Sequence, residues 1–566
     1  MSAVLGISAN YHDAAAALVV DGQLVAAMQE ERFSRIKNDP SLPIAAARAC
    51  LAMAKLDVKD LTHVVFYENP YRKLERVLTM MLRSFPGSLR QFPRAIASQL
   101  SGKVQVLDEL SSRLGVPRDR ISHREHHESH AASAFFCSPF PRAAVLTVDA
   151  VGEETSTALW LGEGTTLTLL ERITFPHSLG LLYSALTAWC GFEVNEGEYK
   201  VMGLAAFGTP RFRAEFEKLV TLAQDGSFEL HLEYFDAHAN TEVGFSSKLE
   251  ALLGPRRMPG TPWNFSDAAD RRFADVACTL QAVLEDAMLG LASRAKARTQ
   301  ADALCLAGGV ALNAVSNARL ARSAGFRDVF VQPAAGDAGG ALGAALLGAL
   351  DARTPRVTPM EHSAWGLPVS ADDARSIATS LGLKMTSLAN PATDVAALLA
   401  KGDVVAFVQG RFEWGPRALG HRSLLSLPTP LAVKERLNRV IKRREPFRPF
   451  APAVLESDAS RFFGPFASRL APFMVTVADV RDDAKPVLEA VTHVDGTARV
   501  QTVLPSTPFG ALIDAVGRQT GTPVVLNTSL NGKSEPIVAS VADAFAFFLG
   551  HSADALVVED VLIRKS

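Results

Sequence analysis

The sequence predicts an α/β protein of two domains, the first built from a duplicated strand-and-hairpin unit. Three observations carry this. The chain has 566 residues, 48% of them hydrophobic, which is too long for one core and rich enough for two or three. A strand, a polar turn and a hairpin occur near the start and recur from Ala143. A Pro- and Thr-punctuated stretch, Asp351 to Pro368, then breaks the apolar pattern and reads as a linker.

In chain order, VLGIS predicts a strand, HDAAAALVV a second and QLVAAMQ a third, with Asp21-Gly22 between the last two. Asp-Gly favours the tight turns that match strand twist, so the pair reads as a hairpin. From Ala143, AAVLTVDAVGE, TSTALWLG, Glu163-Gly164 and TLTLLE repeat that order. Two copies, each followed by helical stretches, point to a duplicated domain of the actin and sugar-kinase type. Between Ala303 and Leu350 the pattern is strand (ALCLA), Gly308-Gly309, helix (ALNAVSNARLARSA), strand (VFVQ) and then PAAGDAGG running into another helix. Such glycine-lined turns let backbone N–H groups approach a phosphate. The first domain is therefore expected over residues 1–355 and the second over 360–566. The second has strands of its own, DVVAFVQ and TPVVLN. It also has an amphipathic helix capped at Thr429-Pro430, with Val433, Leu437, Val440 and Ile441 on one face.

A net charge of −2 offers no general attraction to nucleic acid or a membrane surface, so any polyanion site must be a local cluster. Five scattered cysteines form no C-x-x-C pair, which suits a reducing compartment. The N-terminus shows no charged leader before a long apolar run, and no stretch approaches about 18 uninterrupted apolar residues. A cytoplasmic protein without membrane or nucleic-acid partners is the expectation.

The sharpest chemical signal is HREHHESHAASAFF. His126 and His130 stand at i and i+4, on one face of a helix, where two neutral imidazoles can grip one divalent cation. Asp149, at the end of the strand in LTVDAVGE, and Asp337, in AAGDAGGALGAA, supply carboxylates. Asp337 also reads as a helix N-cap. A zinc protease of the H-E-x-x-H type is excluded by spacing, because His127-Glu128 is followed by His130 one residue too early. Gly308, Gly309 and Asn313 form a candidate phosphate turn, without a Walker or dinucleotide motif elsewhere.

A second centre lies in QGRFEWGPRALGHRSLL and KERLNRVIKRREPFRPFAP. From Arg411 through Arg448 there are ten Lys or Arg against three Glu. Several belong to a solvated helix face. Arg417 and Arg448 differ, since each sits in a Gly/Pro-rich, apolar-flanked turn where an unpaired charge is costly without an anion. Downstream, VVLNTSLNGKSEPIV offers Asn527, Thr528, Ser529 and Asn531 as neutral groups fit to hold a small amide.

Taken together, HDAAAALVVDGQLVAAMQEERFSRIK, HHESHAASAFFCSPF, EGEYKVMGLAAFG, AGGVALN, GDAGGALGAA, GRFEWGPRALGHRSLL, REPFRPFAP and LNTSLNGKSEPIV resemble the O-carbamoyltransferase family of nodulation-factor and antibiotic biosynthesis. The resemblance runs from residue 4 to residue 540. It implies an actin-like N-terminal domain similar to the tRNA threonylcarbamoyl-transferase, and a smaller YrdC-like α/β C-terminal domain. It implies carbamoyl phosphate and ATP as substrates, a carbamoyl adenylate intermediate and a hydroxyl-bearing small-molecule acceptor. His126, His130, Asp149 and Asp337 fall on the metal motif, with iron (Fe2+) expected first and manganese (Mn2+) or zinc (Zn2+) as alternatives. His12 matches the general base, a role a histidine suits because the acceptor alcohol must lose a proton. Lys200, with Gly203, falls on the nucleotide side, and Lys37 matches a contact to acceptor or adenylate. Arg417, Lys442, Arg448, Asn527 and Ser529 match the carbamoyl phosphate site. One departure is Ala206-Phe207, where relatives carry Pro-Tyr.

Two other readings remain. A tRNA threonylcarbamoyl-adenosine-type transferase is disfavoured by the lack of an extended basic surface. A non-enzymatic actin-like nucleotide-binding module leaves the basic centre unexplained. The acceptor's identity and the oligomeric state, a dimer included, are not fixed by the sequence.

Overall fold

The computed structural model describes residues 1–83, 102–236 and 244–565. The chain forms two compact units. One comprises Met1–Glu30 and Asn38–Met360, the other Glu31–Lys37 and Glu361–Ser566.

In the first unit, β1 (Ala3–Ser8), β2 (Ala15–Val20), β3 (Gln23–Gln29), β4 (His63–Phe66) and β5 (Ile121–His123) form one sheet. Their order is β3-β2-β1-β4-β5. The β1-β2 and β2-β3 pairs are antiparallel, and β1-β4 and β4-β5 parallel. Next come β6 (Arg142–Val148), β7 (Thr155–Glu163), β8 (Thr166–Thr174) and a small hairpin of β9 (Val220–Leu222) and β10 (Phe228–Leu230), then β11 (Ala303–Ala307) and β12 (Asp328–Val331). The second sheet has the order β12-β11-β6-β7-β8, with β6-β7 and β7-β8 antiparallel and β11-β6 and β11-β12 parallel. Counted from its own first strand, this is the first sheet again in order and direction. The topology itself establishes the duplication. The Asp21-Gly22 turn has φ of +49° and +79°, the left-handed pair that lets the β2-β3 hairpin follow the sheet's twist.

The alanine- and glycine-rich helix Asp337–Asp351 is buried nearly throughout because it is pressed between β1 and the His126–Phe135 helix. A Cβ on Gly343 would lie 1.7 Å from the Ser129 carbonyl oxygen, and one on Gly6 would lie 1.9 Å from that of Ala341. Only glycine permits such approach, and it brings the N-terminal residue of one helix level with the histidines of the other. The long helix Ala268–Thr299 has an apolar window of membrane-spanning length, most of it buried inside this unit against β6 and the Glu198–Ala205 and Ala314–Ser323 helices.

The stretch read as a linker is partly anchored. Arg356 donates to the carbonyls of Phe140 and Ser138, and the Met360 N–H to that of Cys137.

The second unit contains β13 (Lys384–Ser387), β14 (Val405–Val408), β15 (Arg422–Ser426), β16 (Ala451–Leu455), β17 (Ala478–Asp479), β18 (Thr497–Ala498), β19 (Gln501–Val503), β20 (Val524–Ser529), β21 (Ala555–Val558) and β22 (Val561–Arg564). Eight of them form a mixed sheet, β13-β22-β21-β14-β15-β20-β16-β19. Alternate residues of β14 enter different cores: Ala406 and Val408 pack with the 371–380 and 541–550 helices, Val405 and Phe407 with the 391–400 and 508–520 helices. Burial on both faces explains why these strands read as continuous apolar runs.

Two local expectations need correction. The helix placed at Thr429-Pro430 begins at Ala432 and continues as a π-helix from Arg436 to Ile441. A π turn holds more residues than an α turn, so Leu437 and Ile441 are buried while Val440 turns out to solvent. Asn313 lies before its helix rather than inside it. It is the N-cap of Ala314–Ser323, its side-chain oxygen accepting the Ser316 N–H.

Candidate functional site

The first centre is assembled from three elements of the first unit. The His126–Phe135 helix presents His126 and His130 one turn apart. Its first N–H, that of His126, is taken up by the buried Glu153 carboxylate, which also accepts the Asn69 N–H. An acidic group there complements the helix dipole and fixes the entry angle. Asp149 is the residue after β6, and Asp337 opens the Asp337–Asp351 helix. Gly336, not Asp337, is the N-cap, and the Asp337 side chain makes no capping bond.

These elements converge closely. His130 Nε2 stands 2.9 Å from Asp149 Oδ2, 3.0 Å from His126 Nε2 and 3.6 Å from Asp337 Oδ1. His126 Nε2 is 3.4 Å from Asp149 Oδ2 and 3.7 Å from Asp337 Oδ1. One ligand atom from each residue fits within 4.8 Å of all the others, and all four residues are buried. Two imidazoles and two carboxylates in that space form a donor set for one divalent cation. Buried Asp337 Oδ2 has no hydrogen-bond partner, although His12 Nε2 stands 3.8 Å away.

The charge balance is consistent with a cation's place. Burial disfavours charge on His130, but hydrogen bonds to Asp149 and Asp337 outweigh it and push its pKa up to about 9. His12 is likewise opposed by burial and carried to about 10 by Asp337 and Asp13. Burial works against the Asp149 carboxylate too, yet bonds from His126 and His130 hold it well below the usual carboxylate range. Protons thus stand in for the positive charge that a bound cation brings, and such a cation inverts the local pKa order. His127, by contrast, turns away to Thr147 Oγ1 at 2.7 Å, where burial drives its pKa well below the ordinary value.

The glycine turn lies against this cluster. Gly308 has φ of +90°, and a Cβ there would strike the Val148 carbonyl oxygen at 2.2 Å. A Cβ on Gly309 would lie 3.3 Å from Asp149 Oδ1. Asn313 is committed to structure: besides its cap it exchanges two hydrogen bonds with Gln281. Lys200 and Gly203 share the Glu198–Ala205 helix, with Lys200 Nζ 5.7 Å from the centre of the Phe192 ring. Lys37 falls in the second unit, paired with buried Glu31 at 2.8 Å.

The second centre lies in the second unit. Lys442, 3% exposed, directs its ammonium at the Ser529 carbonyl, the Asn531 carbonyl and Asn531 Oδ1. With Ser529 Oγ at 3.4 Å as a fourth acceptor, its three protons are satisfied, and Lys442 holds the end of β20 in place. Burial, with Arg444 and Arg448 nearby, drives its pKa well down. Asn527 donates to the Ala418 carbonyl and to Gln501 Oε1, leaving its own Oδ1 buried without a hydrogen-bond partner.

Arg499 is the residue that sequence reading missed. Burial, then Arg417, Arg444 and Arg448, push its pKa well below the arginine range. It makes no hydrogen bond or ion pair among the described residues, and its buried Nε has no partner. A guanidinium does not give up its proton in a protein, so the shift expresses first the cost of burying the charge and then the positive groups around it, both of which an anion would relieve. The signal available was TARVQTV, a lone arginine among short, otherwise uncharged residues of strand-like alternation. The reasoning applied to Arg417 and Arg448 would have found it.

A family described as Carbamoyltransferase N-terminus matches residues 3–346, and one described as Carbamoyltransferase C-terminus matches residues 396–565. An uncharacterized protein of Synechocystis is 40% identical over 100% of this chain and 97% of its own length. Nodulation protein NolNO of Sinorhizobium fredii is 38% identical over 98% of this chain and 79% of its own. The 3'-hydroxymethylcephem-O-carbamoyltransferase of Amycolatopsis lactamdurans is 36% identical over 46% of this chain and 49% of its own.

Proposed function

We propose, from the premise that this chain belongs to the carbamoyltransferase family, that it is an ATP-dependent O-carbamoyltransferase acting on a hydroxyl of a small molecule. The observation that carries the reading is the pairing of chemistries in the second unit. Carbamoyl phosphate is a phosphate joined to a small amide. Arg417, Arg448 and Arg499 offer forked donors to the phosphate, and the unpartnered Oδ1 of Asn527 offers an acceptor to the carbamoyl NH2. Lys442 and Ser529 shape the end of β20 that carries Asn527.

In the first unit, His126, His130, Asp149 and Asp337 would hold a divalent cation, Fe2+ before Mn2+ or Zn2+, which would supply Lewis-acid stabilisation of developing negative charge. The Gly308-Gly309 turn, with Lys200 and Gly203, would receive nucleotide phosphates. His12, oriented by Asp13 at 3.1 Å, is the base proposed to take the acceptor's proton, its imidazole becoming neutral where a bound cation offsets the Asp337 charge that raises its pKa. Lys37 is reserved for a contact to adenylate or acceptor. Carbamoyl adenylate with loss of pyrophosphate is the proposed intermediate. The 3'-hydroxymethylcephem relative supports an alcohol of a natural product as acceptor, and five cysteines without a disulfide suit the cytoplasm.

Purified protein given carbamoyl phosphate, ATP and Fe2+, Mn2+ or Zn2+ in turn is expected to release pyrophosphate and form carbamoyl adenylate, both followed by mass spectrometry. Absence of nucleotide turnover with every ion would refute the ATP-dependent reading.

A further inference from the structure

The seven residues Glu31–Lys37 come from the N-terminal part of the sequence but fold into the second unit. Their two arginines end on the two loops that carry the basic centre. Arg32, 2% exposed, donates from Nη2 to the Gly415 carbonyl at 2.8 Å, two residues before Arg417. Arg35 donates from Nη1 to the Ile537 carbonyl at 2.8 Å and from Nη2 to the Pro536 carbonyl at 3.0 Å, and its Nε lies 3.6 Å from Asp543. Arg35 takes φ of +60°, a left-handed conformation unfavourable for a side chain of this size. Phe33 adds an edge contact to Phe412 at 6.4 Å between ring centres.

Each braced loop reaches the centre by a short path. On the first, Glu413 Oε1 accepts the N–H groups of Leu419, His421 and Arg422, which closes the loop around Arg417. The next residue, Ala418, receives the Asn527 amide through its carbonyl. On the second, the Glu535 carbonyl accepts from Asn531 Nδ2, and Asn531 in turn receives Lys442. The backbone of residues 415 and 536–537 is therefore held by side chains that neither loop supplies.

We propose that Arg32 and Arg35 are positioning residues of the donor site, setting the placement of Arg417 and of the Asn527–Asn531 segment without touching the donor. This rests on the assignment of that centre to carbamoyl phosphate. The guanidinium fork matters at Arg35, because its Nη1, Nη2 and Nε face Ile537, Pro536 and Asp543 from one rigid plane, a geometry that the compact ammonium of lysine does not reproduce.

The test uses the full-length chain with Arg32→Ala, Arg32→Lys, Arg35→Ala and Arg35→Lys. Binding of inorganic phosphate and of carbamoyl phosphate is measured by calorimetry, alongside KM for each substrate, kcat and the thermal midpoint. Displacement of the binding groups by a fraction of an ångström predicts a loss of donor affinity of about 10- to 100-fold in the alanine variants. KM for ATP should be unchanged, and the lysine variants should recover donor affinity partly at position 32 and little at position 35. Donor affinity within twofold of the parent protein in both alanine variants overturns the proposal. So does an equal worsening of the ATP and donor constants with a fallen thermal midpoint in all four variants, which would mark a purely structural strap. Failure of the parent protein to bind either phosphate compound would instead refute the donor assignment itself.

Discussion

Asp337→Asn is expected to lower divalent-cation affinity by about 100-fold or more and to bring carbamoyl transfer to background. The substitution keeps the size of the side chain, which is 2% exposed at the start of its helix, but removes the charge that faces His126, His130 and His12. Fold and donor binding should survive, because the carboxylate makes no capping bond and the basic centre belongs to the other unit. The same centre predicts a pH dependence. His130 is held up to about 9 without a cation, so cation binding must displace its proton, and affinity falls as pH drops below that value. Equilibrium dialysis against a chelator-buffered series of ions, repeated at several pH values, reads both effects. Parent-like affinity in Asp337→Asn, or affinity that does not change with pH, would contradict the account.

Arg499→Met is expected to move stability and function in opposite directions. In protein free of phosphate, removing a guanidinium crowded by Arg417, Arg444 and Arg448 relieves like-charge repulsion and the cost of burying an unpaired charge. Replacement of such a group by an apolar side chain stabilises by about 1 kcal/mol or more, which for a unit of this size is a rise of about 2–4 °C in thermal midpoint. The same change removes charge-assisted hydrogen bonds to the donor's phosphate, and its affinity should fall by about 10- to 100-fold. Thermal melts in phosphate-free buffer and calorimetric titration with carbamoyl phosphate check the two signs. A variant that is less stable and binds the donor unchanged would show Arg499 to be an ordinary structural arginine.

The duplicated fold was legible in the sequence because its cues are local. Asp21-Gly22 and Glu163-Gly164 mark hairpins by turn chemistry alone, and each precedes or follows an apolar run of strand length. The clustering of the histidines was legible for a related reason, since the i, i+4 spacing of His126 and His130 already places both on one face before any tertiary contact forms. Asp337 could be nominated but not placed. What puts it beside the histidines is the contact of Gly343 with the Ser129 carbonyl, a long-range packing fact that no window of sequence contains. The π-helix at Arg436–Ile441 was hidden because its apolar residues suit an α-helical face equally well. Lys442 and Asn313 were found as residues of interest, while their hydrogen bonds to Ser529 and Asn531 and to Gln281 come from long-range packing. The motif ERFSRIK was visible as part of the family resemblance, while its membership of the other unit is a matter of topology.

The central claim is that one cation, held by His126, His130, Asp149 and Asp337, serves carbamoyl transfer while the phosphate-binding arginines work independently of it. Elemental analysis by mass spectrometry of the freshly purified full-length protein, before and after chelation, with transfer activity and phosphate binding measured on the same samples, tests this most directly. The account predicts about one transition-metal ion per chain, lost on chelation together with transfer and restored with it, while phosphate binding persists throughout. Metal-free protein that transfers the carbamoyl group at full rate would contradict it.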